Sequence, residues 1–394
     1  MSRWPRRHTF LLVFLLFVAV LTVVFWFHII AQARAMIVLS SVLETPMVMP
    51  VVEAVTREPA VEDGYVAGNP ALVVRPGGDG PWPAIFFVNG TVQEGRELPE
   101  VRRLAEGLAR AGYLVVVPDL PGLKSDELTP ETVSETVRVA RVVAGSPEAS
   151  GGRVGLVGVS TGATLALLAA GDPEAGESVS VVSGVAPYSE IRNVLNVATT
   201  GYYRQDEKLV PYETDPFLSY VAARSLVAIL PEGEEREKLT SELEEVYRYD
   251  PDPLADLRHR STNDLSPEAE SVVELLANRN PECFEGLYDA LPEGMHEDLD
   301  ELSPLARTGR IEAPVELVSG PRDKYFPVSE SYAVYRIAPD LRVTVSEALD
   351  HAELSFSIRE IPAFLRMNGF VVRSLREAHE EDRTTVRGQP KDLS

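Results

Sequence analysis

The sequence predicts an α/β fold, a mostly parallel sheet with helices on both faces. Three observations predict it. From Asn69 onward, short runs rich in β-branched residues alternate with longer stretches of helical periodicity. Those runs are too short to be helices that bury themselves, and read as strands of a parallel sheet buried on both faces. One of them, RVGLVGV (Arg153 to Val159), passes through a single serine between glycines into the Ala- and Leu-rich stretch Thr161 to Ala170. That is a strand, a sharp turn and a helix.

Taken in chain order, the first element is a candidate membrane span. MSRWPRRH carries Arg3, Arg6 and Arg7, and FLLVFLLFVAVLTVVFWF (Phe10 to Phe27) carries no charge. Continued to Ile30, the apolar run has about 21 residues, roughly 30 Å of helix and the thickness of a bilayer core. Trp4 and Trp26 sit near its two ends, where amphipathic rings prefer the interface. The basic flank predicts a cytoplasmic N-terminus with the rest of the chain beyond the membrane. Ala31-Gln32-Ala33 and Ala33-Arg34-Ala35 have the small-residue pattern of a signal-peptide cleavage site. The apolar run is longer than a signal peptide's, which favours an uncleaved signal anchor (1–35) over secretion after cleavage. Residues 36–68 read as a connector with one or two early strands.

The core follows in two parts. In 69–189, NPALVVRP (69–76), PAIFFV (83–88), Tyr113 to Val117, the run ending at Val159, and SVSVVSGV (178–185) read as strands. Helices are expected over 96–111, from Thr129 to about Ala144, and over 161–170. In 311–381, PVELVS (314–319) and LRVTV (341–345) are strands and a last helix follows. Between the two parts, 190–310 breaks the alternation with helical patterns at 217–229, 232–249 and 267–277. This insert holds 27 acidic and 12 basic residues, a net of −15 out of the chain's −23. It leaves the sheet at a strand's C-terminal end, where ligands bind in open α/β sheets, so it is expected to be a cap. The polar stretch 382–394 is expected to be a disordered tail.

The acidic balance argues against a nucleic-acid partner, which needs a basic face. The one cysteine, Cys283, allows no intrachain disulfide and makes a cysteine-based metal site improbable. No metal or organic cofactor is called for. Nothing in the sequence speaks to oligomeric state.

The chemistry centres on Gly158-Val159-Ser160-Thr161-Gly162. The glycines remove Cβ atoms where backbone segments crowd, and the turn exposes the Ser160 hydroxyl at a strand end beside a helix N-terminus. A serine needs a base. Of the six histidines, at 8, 28, 259, 296, 351 and 379, His351 alone follows a strand, in VTVSEALDHAEL before the last helix. The base needs an orienting carboxylate. Asp323, in the loop of PVELVSGPRDKYFP, precedes His351 by 28 residues. Asp350 is adjacent to His351 and Glu330 lies within the next helix, so both are weaker candidates. Oxyanion donors are expected from the backbone N–H of Thr161 and from Asn89-Gly90-Thr91, with the Thr91 N–H preferred. The order Ser160, Asp323, His351 is that of one class of serine hydrolase.

In NGT, GVSTG, SGPRD and LDHAEL the chain resembles an α/β hydrolase of the capped, dienelactone-hydrolase- or esterase-like bacterial kind, over roughly 69–380. The resemblance implies an eight-stranded, mostly parallel sheet, a cap after the sixth strand and ester hydrolysis through an acyl-enzyme. Dienelactone hydrolases proper use cysteine, so the serine here disfavours their substrate. The expected substrate is a small-molecule or lipid-derived ester, neutral or weakly polar. An acyltransferase or peptidase, a C–C bond hydrolase, a cofactor-free peroxidase and a silent binding module on the same fold remain open alternatives.

Overall fold

The computed structural model describes residues 14–15, 28–43, 48–205, 208–307, 310–351, 353–354 and 361–379. Most of the span expected at 10–30 and all of the tail at 382–394 lie outside these residues. Among the described residues no helix is long and apolar enough to cross a membrane.

Helical backbone runs over 28–42 (α1) and is followed by α2 (Met49–Val55). The sheet begins with β1 (Ala60–Val66), β2 (Asn69–Arg75) and β3 (Trp82–Val88). Then come α3 (Pro99–Arg110), β4 (Leu114–Pro118), α4 (Pro121–Lys124) and α5 (Pro130–Ala144). β5 (Ala149–Val159), α6 (Thr161–Gly171) and β6 (Val179–Val185) complete the first part. After the insertion, β9 (Val315–Ser319), α13 (Val328–Ala333), β10 (Leu341–Val345) and α14 (Ile361–His379) close the fold. The insertion carries α7 (Ile191–Thr200), the hairpin β7 (Tyr202–Gln205) and β8 (Lys208–Pro211), then α8 (Pro216–Ala228) and α9 (Glu234–Tyr249). It ends with α10 (Pro267–Ala277), α11 (Phe284–Asp289) and α12 (Glu293–Glu301).

Eight strands lie in the order β1-β2-β4-β3-β5-β6-β9-β10. The β1/β2 and β2/β4 pairs are antiparallel and the others parallel. The alternation of side chains along a strand splits the core into two layers. Phe86 and Val88 join one layer with Val133 and Val137 of α5 and Leu165 of α6. Ile85 and Phe87 join the other with Val101 and Leu108 of α3 and Leu375 of α14. Both faces are therefore covered, which is why the strands read as continuous apolar runs. Residues Thr161 to Ala170 of α6 are all buried, which explains a helix apolar on every side.

Two expectations need correction. The stretch expected as a connector at 36–68 does hold an early strand, β1, but it begins within a helix: Ala31, Ala35 and Val38 of α1 are buried in the layer of α3 and α14, so a boundary at 35/36 falls inside α1. Close packing explains it, because a Cβ on Gly107 of α3 would stand 2.7 Å from the Ser41 Cβ. Asn368 also donates to the Gln32 carboxamide at 3.0 Å. Secondly, β5 starts at Ala149 rather than Arg153, because Ala149 pairs with Trp82 ahead of a register shift.

Candidate active site

The parallel strands deliver their C-terminal ends to one edge, and the expected residues lie in the loops there. Ser160 links β5 to α6 with φ 56° and ψ −126°. Its N–H donates to the Val185 carbonyl at 2.8 Å, tying the turn to the end of β6. The flanking glycines are sterically required. A Cβ on Gly158 would stand 2.4 Å from the Gly162 carbonyl oxygen, and one on Gly162 would stand 2.2 Å from the carbonyl oxygens of Val88 and Asn89.

His351 follows β10 and is buried with φ 54°. Its Nδ1 lies 2.9 Å from Oδ2 and 3.0 Å from Oδ1 of Asp323. Asp323 Oδ1 also accepts the N–H groups of Tyr325 (2.9 Å) and Phe326 (3.0 Å), which fix the carboxylate. The loop of Asp323 lies close against that of His351: a Cβ on Gly320 would stand 2.6 Å from the Leu349 carbonyl oxygen. Ser160 and His351 line one cavity of about 200 Å³. Asn89, Gly90, Thr91 and Thr161 lie on its polar side. Val92, Leu98, Phe217, Leu218, Val221, Tyr325 and Phe326 form the apolar remainder.

Glu330 serves elsewhere. Its buried carboxylate accepts the Ser189 N–H and hydroxyl (2.8 and 2.7 Å), the Glu190 N–H (3.2 Å) and the Asn193 amide (2.9 Å). It anchors the start of the insertion.

The oxyanion expectation needs revision at Thr91. Its N–H donates to the Thr161 Oγ1 at 3.0 Å, and the two hydroxyl oxygens lie 2.9 Å apart. The donor preferred from sequence is therefore engaged, because the threonine after the nucleophile reaches it with its own hydroxyl. Thr161 opens α6, so its N–H has no acceptor within the helix. Gly90 packs against the nucleophile, where an added Cβ would stand 3.4 Å from the Ser160 Cβ. Asn89 has a structural task, donating through Nδ2 to the Gly95 carbonyl at 2.8 Å.

Several site residues were not singled out from sequence. The Tyr325 ring meets His351 edge-on at 4.4 Å between centroids. Its position two residues after Asp323 was the available signal. The Tyr212 hydroxyl, from the insertion, donates to the Asp323 carbonyl. Burial and then the Asp323 charge push that phenol well above its ordinary value, keeping it a neutral donor. Phe217, Leu218 and Val221 of α8 carry no local sequence signal for this role. Among the described residues, no group of His, Cys, Asp and Glu has the arrangement of a metal site.

No curated protein matches the chain by sequence. Among solved structures, similarity extends to an esterase of Pyrococcus furiosus (16% identity, 80% of this chain, 91% of that one, TM-score 0.43). It extends also to a proline iminopeptidase of Mycobacterium smegmatis (16% identity, 80% and 98%, TM-score 0.41). A bacterial membrane phospholipase A is similar at 16% identity over 94% of this chain and 99% of that one, TM-score 0.40. Likenesses this distant say nothing of what this chain acts on. The model of the alpha/beta hydrolase family matches residues 85–352, from β3 to the His351 loop, and the chain belongs to that family.

Proposed function

We propose that this hydrolase is a serine esterase that cleaves a neutral, largely apolar carboxylic ester through an acyl-enzyme. The observation that carries the reading is His351, which lines the same cavity as Ser160 and whose Nδ1 is held 2.9 Å from the Asp323 carboxylate behind it. Ser160 Oγ attacks the ester carbonyl while His351 Nε2 takes its proton. Asp323 holds Nδ1–H and stabilises the imidazolium. The tetrahedral oxyanion receives the Thr161 N–H. A second donor comes from the Asn89-Gly90-Thr91 loop once the Thr161 hydroxyl turns away from the Thr91 N–H. His351 returns the proton to the leaving alcohol, and water cleaves the acyl-enzyme by the same steps in reverse roles. The insertion acts as a cap, since Phe217, Leu218 and Val221 make the cavity wall facing the strand ends.

The test is labelling of the full chain in detergent by a fluorescent fluorophosphonate, beside Ser160→Ala. Labelling of the parent alone is expected, together with hydrolysis of a simple aryl ester. A folded parent that neither labels nor hydrolyses would leave a silent binding module as the better reading.

The reading includes a membrane tether at 10–30, with the catalytic part on the far side. Cleavage at Ala33 or Ala35 would sever α1 inside the core, which favours an uncleaved anchor. Cys283 is the only cysteine and is exposed. An impermeant maleimide added to cells with an intact cytoplasmic membrane should label it. Labelling only after lysis would reverse the orientation.

A further inference from the structure

On the sheet face that carries α1, α3 and α14 lies a second cavity, of about 250 Å³. It shares Asn89, Leu98 and Val159 with the cavity of Ser160 and His351. The two therefore meet at the loop after β3 and the last residue of β5. Val38 and Val42 of α1, and Met367 and Phe370 of α14, make much of its wall. The charged residue in that wall, Glu100, is exposed and paired with Arg103 at 2.5 Å. Two serines, Ser183 and Ser374, also contribute to its wall. Both residues are buried (2% and 8% exposed), and neither Oγ has a hydrogen-bond partner. Packed interiors leave few voids larger than a water molecule, so an apolar space of this size beside a reactive site calls for an occupant.

We propose that this cavity receives the acyl chain of the substrate, an unbranched aliphatic chain of medium length whose carbonyl sits at Ser160. The placement of the carbonyl rests on the serine-esterase reading. The cavity itself does not. Val159, in both walls, is the residue before Ser160, so the cavity lies next to the reacting hydroxyl. The apolar lining selects a hydrocarbon. With about 30 Å³ for each water-sized group, the cavity holds on the order of eight carbons. Each methylene buried there should raise kcat/KM about fourfold up to that length, with no gain beyond it. Ser183 and Ser374 offer a direct way to fill the space, because replacing either by leucine removes no hydrogen bond.

The test uses the full chain and its Ser160→Ala variant with a ten-carbon alcohol bearing a terminal diazirine, photolysed and mapped by mass spectrometry. Saturable crosslinks in the 367–374 segment are expected, reduced at least tenfold by Ser183→Leu or Ser374→Leu. In the same variants the ratio of octanoyl to acetyl ester kcat/KM should fall at least tenfold. If one leucine variant fails to fold, the other carries the comparison. Absence of saturable crosslinking there in the parent, or crosslinking unchanged in the folded leucine variants, would overturn the inference. So would an unchanged octanoyl to acetyl ratio in those variants. Crosslinking that behaves as expected in a parent that hydrolyses no ester would sink the esterase reading and leave the cavity an alkyl-binding site.

Discussion

Ser160 and His351 share an uncommon backbone: both have positive φ, 56° and 54°, without being glycine. Such conformations cost about 1–3 kcal/mol each and persist only where surrounding contacts over-determine them. Here the Val185 carbonyl holds the Ser160 N–H, and Asp323 holds the imidazole. Asp323→Asn keeps the shape but presents an amide to Nδ1 and selects the wrong tautomer. Its kcat should fall by roughly 10³–10⁴-fold with a nearly unchanged melting temperature, measured with an aryl ester and by calorimetry. A second carboxylate is informative for the opposite reason. Asp126 is buried, accepts from Gln93 at 2.9 Å, and has an Oδ1 without a partner. Burial raises its pKa, and the Gln93 hydrogen bond and Arg224 charge offset this only in part. Between its ordinary and raised values the folded state keeps a proton that the unfolded state has lost, so stability falls as pH rises through that window. Asp126→Asn should therefore raise the melting temperature at pH 8, and the gain should vanish as pH drops below the ordinary carboxylate range. A gain that persists in acid would mean the effect is packing.

At the level of elements, α1 matters most, because it serves both the core and the proposed acyl cavity. Ala35 is fully buried, and Val38 and Leu39 nearly so. Burial of a Val or Leu side chain contributes about 1.5–3 kcal/mol. Removal of residues 1–27 should leave the melting temperature unchanged. Removal of 1–43 should lower it by many degrees or abolish folding, as followed by circular dichroism. Equal stability of the two shortened chains would refute the core role of α1. The elements were legible in sequence wherever the apolar period was local. β3, β4, β6, β9, β10, α5, α6 and α10 lie within a residue or two of the expected runs. The β7/β8 hairpin, α7, α11 and α12 were not singled out. They are short pieces in an acidic insert, and only packing against their neighbours decides their conformation. α1 was hidden by the apolar run before it, since one continuous hydrophobic stretch gives no sign of where lipid ends and core begins.

For the whole molecule the dominant quantity is charge. Most of the net −23 sits in the insertion, which carries −15. A neutral ester should therefore have a higher kcat/KM than the matching succinate half-ester. The gap should narrow as salt rises, because screening beyond about 8 Å is already strong at physiological ionic strength. A preference for the half-ester at low salt would contradict the neutral-substrate reading. The two antiparallel pairs at the β1 edge and the parallel run from β4 to β10 place every chemical loop on one side. The insertion leaves from that same side, after β6.

The composition, the strand–helix alternation and the motifs around Ser160, Asp323 and His351 were enough to specify an α/β sheet and to nominate the reacting residues. These are local signals: a turn that admits only glycine, or a run too short and apolar to be anything but a buried strand. Tertiary structure alone decided that the Thr91 N–H is engaged by Thr161, that Tyr212 and Tyr325 brace the His351–Asp323 pair, and that α1 is core. It alone opened a second cavity beside the first. Each of these depends on contacts between segments far apart in the chain, where distance and direction, not residue type, determine which atoms meet.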